Sequence, residues 1–524
     1  MYLTLFAQRQ VISTAEASMR RSRIFFYSLF CCSLSLSLLS PAIRAQEQAT
    51  ETVTIDANAP ATPLPHFWEQ MFGSGRAVLS LRESYRNDLR QVRAATGFKY
   101  VRFHAIFHDE LGVYDEDKLG NPVYNFSYVD QIYDGLLANG VKPFVELSFT
   151  PRKMASRLEF HAFWYKPIPA PPVYSKWDPM ITAFAQHLID RYGIDEVASW
   201  YFEVWNEPNI DFWTGRPAQQ TYFELYDHTA RALKAVNERI RVGGPSTAQA
   251  AWVDAIIAHT TAEHVPLDFV STHVYGNDAS SDVFPDKRPI APHQMVCAAV
   301  AKVHDQIKAS ARPTIPLIWS EFNATYANEP LITDTIYMGP WMADTIRKCD
   351  GMVDIMSYWS FSDVFEEQGV VKEPFYGGYG LIAAGSIPKP AFRVFSLLHL
   401  LGDERIASTS EDLLVTKRAD GTLVIAAWNL VEPPGATGAG KTIALKITGQ
   451  KEGSRAYIRR VDADHGDTLG AYNAMGRPRY PSQAQLTALR QVTADMPAET
   501  QSLSDGILKL RLPSSGLAVI EIRP

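Results

Sequence analysis

The sequence predicts an α/β protein: a TIM-type (β/α)8 barrel with an accessory C-terminal β-sandwich. Three observations predict it. Between about residues 66 and 400, short apolar runs alternate with longer amphipathic stretches, and Gly or Pro punctuates most junctions. Several of the apolar runs are continuous rather than alternating, as parallel strands buried on both faces require. After Leu400 the texture changes to short strand-like runs separated by Gly, Asp and Pro, the pattern of a small sandwich.

Taken in order, residues 1–45 read as a secretory signal with a misassigned upstream start. Met19-Arg20-Arg21-Ser22-Arg23 is basic, Ile24 to Leu39 is apolar or small, and Ile43-Arg44-Ala45 precedes a cleavage site. Residues 1–18 do not resemble a signal, so translation is expected to begin at Met19. The alternative is a membrane anchor, but the Ser-rich run is too short to span a bilayer comfortably. Export, to the periplasm or beyond, is expected. Residues 46–65 contain Thr52–Asp56, a strand expected to join the sandwich.

The barrel is assigned to 66–400. Its strands are expected at Phe67–Gly73, Tyr100–Ile106, Pro143–Phe149, Trp200–Trp205, Val242–Gly244, Phe269–His273, Leu317–Ser320 and Ile355–Trp359. Between them lie helical patterns at Ser84–Thr96, Tyr128–Asn139, Pro179–Tyr192, Gln219–Asn237, Ala248–Thr261, Pro292–Ser310 and Thr333–Lys348. Eight such units fit a barrel with elaborated loops. A doubly wound sheet is the alternative, but no strand is followed by a Gly-rich phosphate loop. The sandwich is assigned to 401–524, with strands at Leu413–Lys417, Leu423–Trp428, Thr442–Ile447, Ala456–Val461, Ile507–Leu512 and Leu517–Ile522. The polar, Pro-bearing segment Asp462–Asp495 reads as a long excursion.

Composition excludes more than it selects. A net charge of −7 favours neither nucleic acid nor an anionic membrane surface as a partner. Of the four cysteines, Cys31 and Cys32 fall in the signal. Cys297 and Cys349 remain, and inert buried thiols are expected, with a disulfide open in an oxidising compartment. No CxxC or His/Cys cluster suggests a metal, and no cofactor is expected.

The chemistry is carried by two glutamates. Glu207 lies in Trp-Tyr-Phe-Glu-Val-Trp-Asn-Glu-Pro-Asn, residues 200–209, and Glu321 in Ile-Pro-Leu-Ile-Trp-Ser-Glu-Phe-Asn, residues 315–323. Each follows a predicted strand, the fourth and the seventh, where a (β/α)8 barrel carries its reactive groups. Two such carboxyls, one protonated and one ionised, are the working parts of a glycosidase. Pro208 fixes the turn after Glu207, and Asn206 is placed to hydrogen-bond a substrate hydroxyl.

With Tyr100–Ile106, Glu203–Asn209, Ser-Thr-His-Val-Tyr-Gly at 271–276, Trp319–Tyr326, Tyr-Trp-Ser-Phe-Ser-Asp-Val-Phe-Glu-Glu at 358–367, Gly377–Leu381 and Pro388–Phe392, the chain resembles glycoside hydrolase family 39. The His-Val-Tyr-Gly, Phe-Glu-Glu and Pro-Lys-Pro-Ala-Phe segments resemble its β-xylosidase branch. The resemblance implies that Glu207 is the general acid/base and Glu321 the nucleophile of a retaining, exo-acting β-xylosidase on xylo-oligosaccharides or other small glycosides. Other retaining specificities in the family remain alternatives: endo-acting exopolysaccharide hydrolase, arabinosidase, galactosidase or α-L-iduronidase. A non-catalytic sugar-binding barrel is a further alternative, against which both glutamates speak.

Neighbouring residues fill in a site. Arg102 and His104 share one face of the second strand, and Arg102 is placed to hold Glu321 ionised. His273 and Tyr275 close the sixth strand on one face and are expected to support Glu321, with His273 alternatively on a sugar hydroxyl. Trp359 is expected to floor the sugar subsite. Of Glu366 and Glu367, extended backbone would point one at the sugar and the other away. Phe149 and Tyr326 are further candidates for the same subsite. Phe163, Trp164, Tyr165 and Trp177, with Phe212-Trp213, are candidates for a lid or leaving-group platform. Ser271–Asp278 contains no Lys or Arg, and the loop after the eighth strand none before Lys372, which favours a neutral pentose over a uronate.

Overall fold

The computed structural model describes residues 50–163, 165–450, 453–494 and 497–523. The predicted export segment, residues 1–45, lies outside the described residues.

Eight parallel strands close a barrel in chain order: β1 (Met71–Gly73), β2 (Tyr100–Phe103), β3 (Lys142–Leu147), β4 (Tyr201–Val204), β5 (Val242–Thr247), β6 (Phe269–Tyr275), β7 (Leu317–Asn323) and β8 (Ile355–Tyr358). Between them run the helices Glu83–Thr96, Ser127–Ala138, Tyr174–Tyr192, Ala218–Val236, Val253–Ala262, Pro292–Lys308 and Met338–Cys349, and Pro390–Leu398 follows β8. Met71, Phe144, Phe269, Ile318 and Ile355 fill the amino-terminal end of the barrel. Alternation along the strands then lifts Arg102, Glu146, Glu203 and Ser320 into the layer above, all buried. An apolar plug below and a charged layer above it set the floor of the barrel mouth.

Several predicted boundaries move for local reasons. Phe67–Glu69 is a 3-10 turn, so only Met71–Gly73 pairs as the first strand. The second strand stops at Phe103 because Ala105 has φ 71°. The helix expected from Ala248 begins at Val253, after a turn in which Gln249, Ala250 and Trp252 all have positive φ. The segment 462–495 contains two helices, Thr468–Ala474 and Gln483–Val492, the second opened by a capping box between Ser482 and Gln485. Leu469, Tyr472 and Leu489 pack on Phe375, Ala383 and Ile387 of the chain following β8.

The sheet-rich region has two layers. A seven-stranded sheet runs in the order 61–63, 404–406, 413–417, 423–428, 517–522, 455–461, 499–502, and a three-stranded sheet in the order 51–56, 441–448, 507–512. Glu51–Asp56 thus joins the sandwich, parallel to Lys441–Thr448. Leu413, Val415, Leu423 and Ile425 face the smaller sheet. Leu414, Val424, Ala426 and Trp428 face the barrel helices and belong to its core. Burial on both faces explains why these strands are continuously apolar.

Cys297 and Cys349 form a disulfide, correcting the expectation of inert thiols. It ties the helix before β7 to the helix after it.

Candidate active site

A cavity of about 750 Å³ opens at the carboxyl ends of the strands, and both Glu207 and Glu321 line it. Glu207 has φ 45°, a left-handed conformation uncommon for its residue type, and its N–H donates to Ser246 O at 2.7 Å. Glu321 owes its direction to a register shift. Thr272 pairs with Trp319 and His273 with Glu321, so Ser320 is skipped, and both Ser320 and Glu321 reach polar partners inside the barrel.

The two carboxyls have different surroundings. Arg102 Nη1 donates to Glu321 Oε1 at 2.6 Å, and the Tyr275 hydroxyl donates to Oε2 at 2.7 Å. Burial pushes the Glu321 pKa up, while Arg102, His104 and the Tyr275 hydrogen bond oppose that rise. Among the described residues, no Lys or Arg is ion-paired with Glu207. Its partner is His273, whose Nδ1 lies 3.0 Å from Oε1, and burial together with the charge of Glu321 pushes its pKa well up. His273 is itself held neutral by burial and by the positive charges of Arg102 and His104. One oxygen from each glutamate and one His273 nitrogen lie within 4.8 Å of one another. The arrangement therefore offers one carboxyl that keeps its proton beside another fitted to carry charge.

Arg102 is the hub. Besides Glu321 it reaches Glu203 Oε2 at 2.6 Å and Glu146 Oε2 at 2.8 Å, and it donates to Asn206 Oδ1 at 2.9 Å. Burial opposes its charge, but the three carboxylates more than offset that. His104 Nδ1 sits 2.7 Å from Glu146 and Nε2 3.4 Å from Glu367. Burial works against its protonation, yet Glu146 and Glu367 push its pKa up to about 9.

The model of glycosyl hydrolases family 39 matches residues 51–505. The chain belongs to family 39. It is a glycoside hydrolase. A β-xylosidase of Geobacillus stearothermophilus is 35% identical over 469 residues, 87% of this chain and 92% of that one. A β-xylosidase of Caldicellulosiruptor saccharolyticus is 34% identical, over 83% of this chain and 90% of that one. The crystal structure of a monomeric β-xylosidase from Caulobacter crescentus superposes with a TM-score of 0.83 at 34% identity, covering 91% of this chain and 100% of that one.

In this family 39 enzyme the cavity gathers Asn206, His104, His273, Tyr275, Tyr326, Trp359 and Glu367 with the two glutamates. Trp359 lies so close to β1 that a Cβ on Gly73 would stand 1.9 Å from its ring, so only glycine fits there. Two expectations are corrected, as is the backbone reason given for Glu366 and Glu367. His273 bonds Glu207 and stands 3.7 Å from Glu321, because its Nδ1 faces the Glu207 carboxyl in the turn after β4. Phe149 is fully buried, stacked behind Phe212 at 5.7 Å, and so lines nothing. Glu366 turns away: with φ 65° rather than extended backbone it pairs with Arg82 at 2.6 Å, leaving Glu367 in the cavity. Burial pushes the Glu367 pKa up to about 7 against the opposing charge of His104.

Of the aromatic loop candidates, Phe163 and Phe212 line the cavity, with His161 stacked on Phe212 at 4.3 Å. Trp177 and Trp213 are fully buried core, and Tyr165 is buried under Arg76. Trp164 lies outside the described residues. Glu146 and Glu203 are the residues that sequence reasoning missed, and their signal was a charge inside an otherwise apolar strand. Away from the cavity, His66 and His399 both meet Glu69 Oε1, at 2.6 and 2.8 Å, distances that hydrogen bonds account for.

Proposed function

We propose that this enzyme is an exported, exo-acting, retaining β-xylosidase. One observation carries the reading: the two carboxyls approach within 4.8 Å and differ in their supports, Arg102 and Tyr275 on Glu321 and neutral His273 on Glu207. Retaining glycosidases hold their carboxyls about 5–5.5 Å apart, inverting ones about 6.5–9.5 Å. In the first step a Glu321 oxygen attacks the anomeric carbon, the glycosidic C–O bond breaks, and the Glu207 proton passes to the leaving oxygen. In the second, water gives a proton to Glu207 and its oxygen to the anomeric carbon, releasing Glu321. Esterification of Glu321 removes its charge from beside Glu207, which fits Glu207 to act as base in that step.

The sugar follows from charge and shape. Among the described residues no Lys or Arg lines the cavity, whereas Glu207, Asp211, Asp278, Asp282, Glu321 and Glu367 do. A uronate would enter an acidic basin in which the His104 cation is already engaged by Glu146 and Glu367, so a neutral sugar is favoured. Tyr275, Trp359, Phe365 and Tyr379 form an aromatic cluster beside Glu367, which suits a terminal rather than an internal residue. The relatives named as β-xylosidases support the pentose.

A panel of aryl glycosides, with the anomer of the first product followed by NMR, tests the reading. The expected result is turnover of aryl β-xyloside to β-xylose, lost in Glu321→Ala. First-formed α-xylose would overturn retention, and preference for another glycone would overturn the sugar. Export is consistent with the disulfide, since such bonds persist in oxidising compartments. Activity confined to the cytosolic fraction of the source cells would refute it.

A further inference from the structure

Beneath the cavity a continuous chain of polar contacts joins the two carboxyls. Glu207 Oε1 meets His273 Nδ1 at 3.0 Å, and His273 Nε2 meets Ser320 Oγ at 3.1 Å. The Ser320 hydroxyl reaches Glu203 Oε1 at 2.6 Å. Arg102 then reaches Glu203 Oε2 through Nε and Glu321 Oε1 through Nη1, each at 2.6 Å. His273, Ser320, Glu203 and Arg102 are fully buried, so no water competes for these bonds.

The direction of each bond follows from counting hydrogens. Glu203, ion-paired with Arg102, can only accept. The single hydroxyl hydrogen of Ser320 therefore goes to Glu203, and its oxygen meets His273 as an acceptor. Ser246 Oγ accepts from Arg102 at 3.1 Å and keeps its own hydroxyl hydrogen, but at 3.4 Å from the same His273 nitrogen it is the more distant partner, and Ser320 sets the direction. A neutral imidazole has one ring hydrogen, and here it belongs on Nε2. Nδ1 is then bare. A Glu207 carboxylate would meet it lone pair to lone pair, whereas a carboxylic acid donates to it.

We propose that Ser320 and Glu203 are positioning residues that fix the His273 tautomer and so hold Glu207 in its acid form in the resting enzyme. This rests on Glu207 being the proton donor. Once Glu207 has given its proton away, the facing lone pair keeps its carboxylate a strong base for the second step. The charged groups around Glu207 are Glu321 and Asp278, which favour the acid form, and His104 and Arg102, which favour the ionised form. None of these is altered by a change at Ser320.

The test pairs Ser320→Ala with Ser320→Thr and reads two quantities. One is the pH profile of kcat/KM on whichever aryl glycoside the wild-type enzyme turns over. The other is the ¹⁵N spectrum of histidine-labelled protein, with His273→Gln used to assign its signals among the 13 histidines. The wild type should have His273 protonated at Nε2 and bare at Nδ1. In Ser320→Ala the hydrogen should move to Nδ1 and donate to ionised Glu207, lowering the basic limb by roughly one pH unit, the worth of one hydrogen bond. Ser320→Thr, which keeps a hydroxyl, should restore both. A wild-type His273 protonated at Nδ1 overturns the proposal, even if no variant folds. So does an unchanged tautomer in Ser320→Ala. A tautomer that swaps while the basic limb stays put instead refutes Glu207 as the proton donor.

Discussion

Tyr275 donates its hydroxyl to Glu321 Oε2 at 2.7 Å, on the carboxyl oxygen that Arg102 does not hold. The two donors share the work: Arg102 sets the charge and Tyr275 the orientation. Tyr275→Phe removes a donor that favours the ionised carboxyl, so the Glu321 pKa rises. Since Glu321 must be ionised to attack, the acidic limb of kcat/KM should move to higher pH. A charge-assisted hydrogen bond is worth about 1.5–3 kcal/mol, so the rate should fall roughly ten- to hundredfold. An unmoved acidic limb would contradict the role given to Tyr275.

Glu207→Gln separates proton donation from binding. The amide cannot supply a proton, so glycosides with poor leaving groups should lose about 10²–10⁴ in kcat. A dinitrophenyl xyloside, whose leaving group needs no proton, should keep fast formation of the covalent intermediate. A burst of dinitrophenolate measured by stopped flow checks this. Equal losses on good and poor leaving groups would count against Glu207 as the donor.

The adjacent glutamates after β8 should behave oppositely. Glu367 lines the cavity beside His104, whereas Glu366 is bound to Arg82 and lies 3.7 Å from Arg76. Glu367→Gln removes an acceptor for sugar hydroxyls and should raise KM about tenfold, the worth of one hydrogen bond. Glu366→Gln should lower the melting temperature slightly and leave KM close to wild type. Steady-state kinetics and thermal melts of the two variants decide it, and a reversed pattern would exchange their roles.

Those outcomes depend on features that the sequence carries unequally. Glu207, Glu321 and Arg102 were legible because each is a charge at or beside an apolar strand, and alternation puts Arg102 on the barrel's inner face. Glu146 and Glu203 gave the same signal. Their role stayed hidden because nothing in a linear chain shows three carboxylates converging on one guanidinium. Alternation misleads at Ser320 and Glu321, which would face opposite ways but for the register shift in β7. At Glu366 and Glu367 the expected divergence is met, but φ 65° at Glu366 rather than extended backbone produces it. The barrel was readable from its strand periodicity, whereas the helices within 462–495 were masked by polar outer faces and a short buried stripe at Leu469, Tyr472 and Leu489.

The disulfide gives a last prediction, about stability rather than chemistry. Cys297 and Cys349 are 52 residues apart, on the helices either side of β7, so the bridge closes a loop containing the strand that bears Glu321. Constraining a loop of that length in the unfolded chain stabilises the fold by at most about 4 kcal/mol. The double variant Cys297→Ser/Cys349→Ser should therefore unfold at a lower denaturant concentration, with a loss of roughly 2–4 kcal/mol. A reductant should lower the wild-type midpoint toward that of the variant and leave the variant unmoved. Because β7 also pairs with β6 and β8, the folded variant should keep its kcat at low temperature and lose activity early on heating. A variant as stable as the wild type would mean that the bridge restrains little the barrel does not already hold.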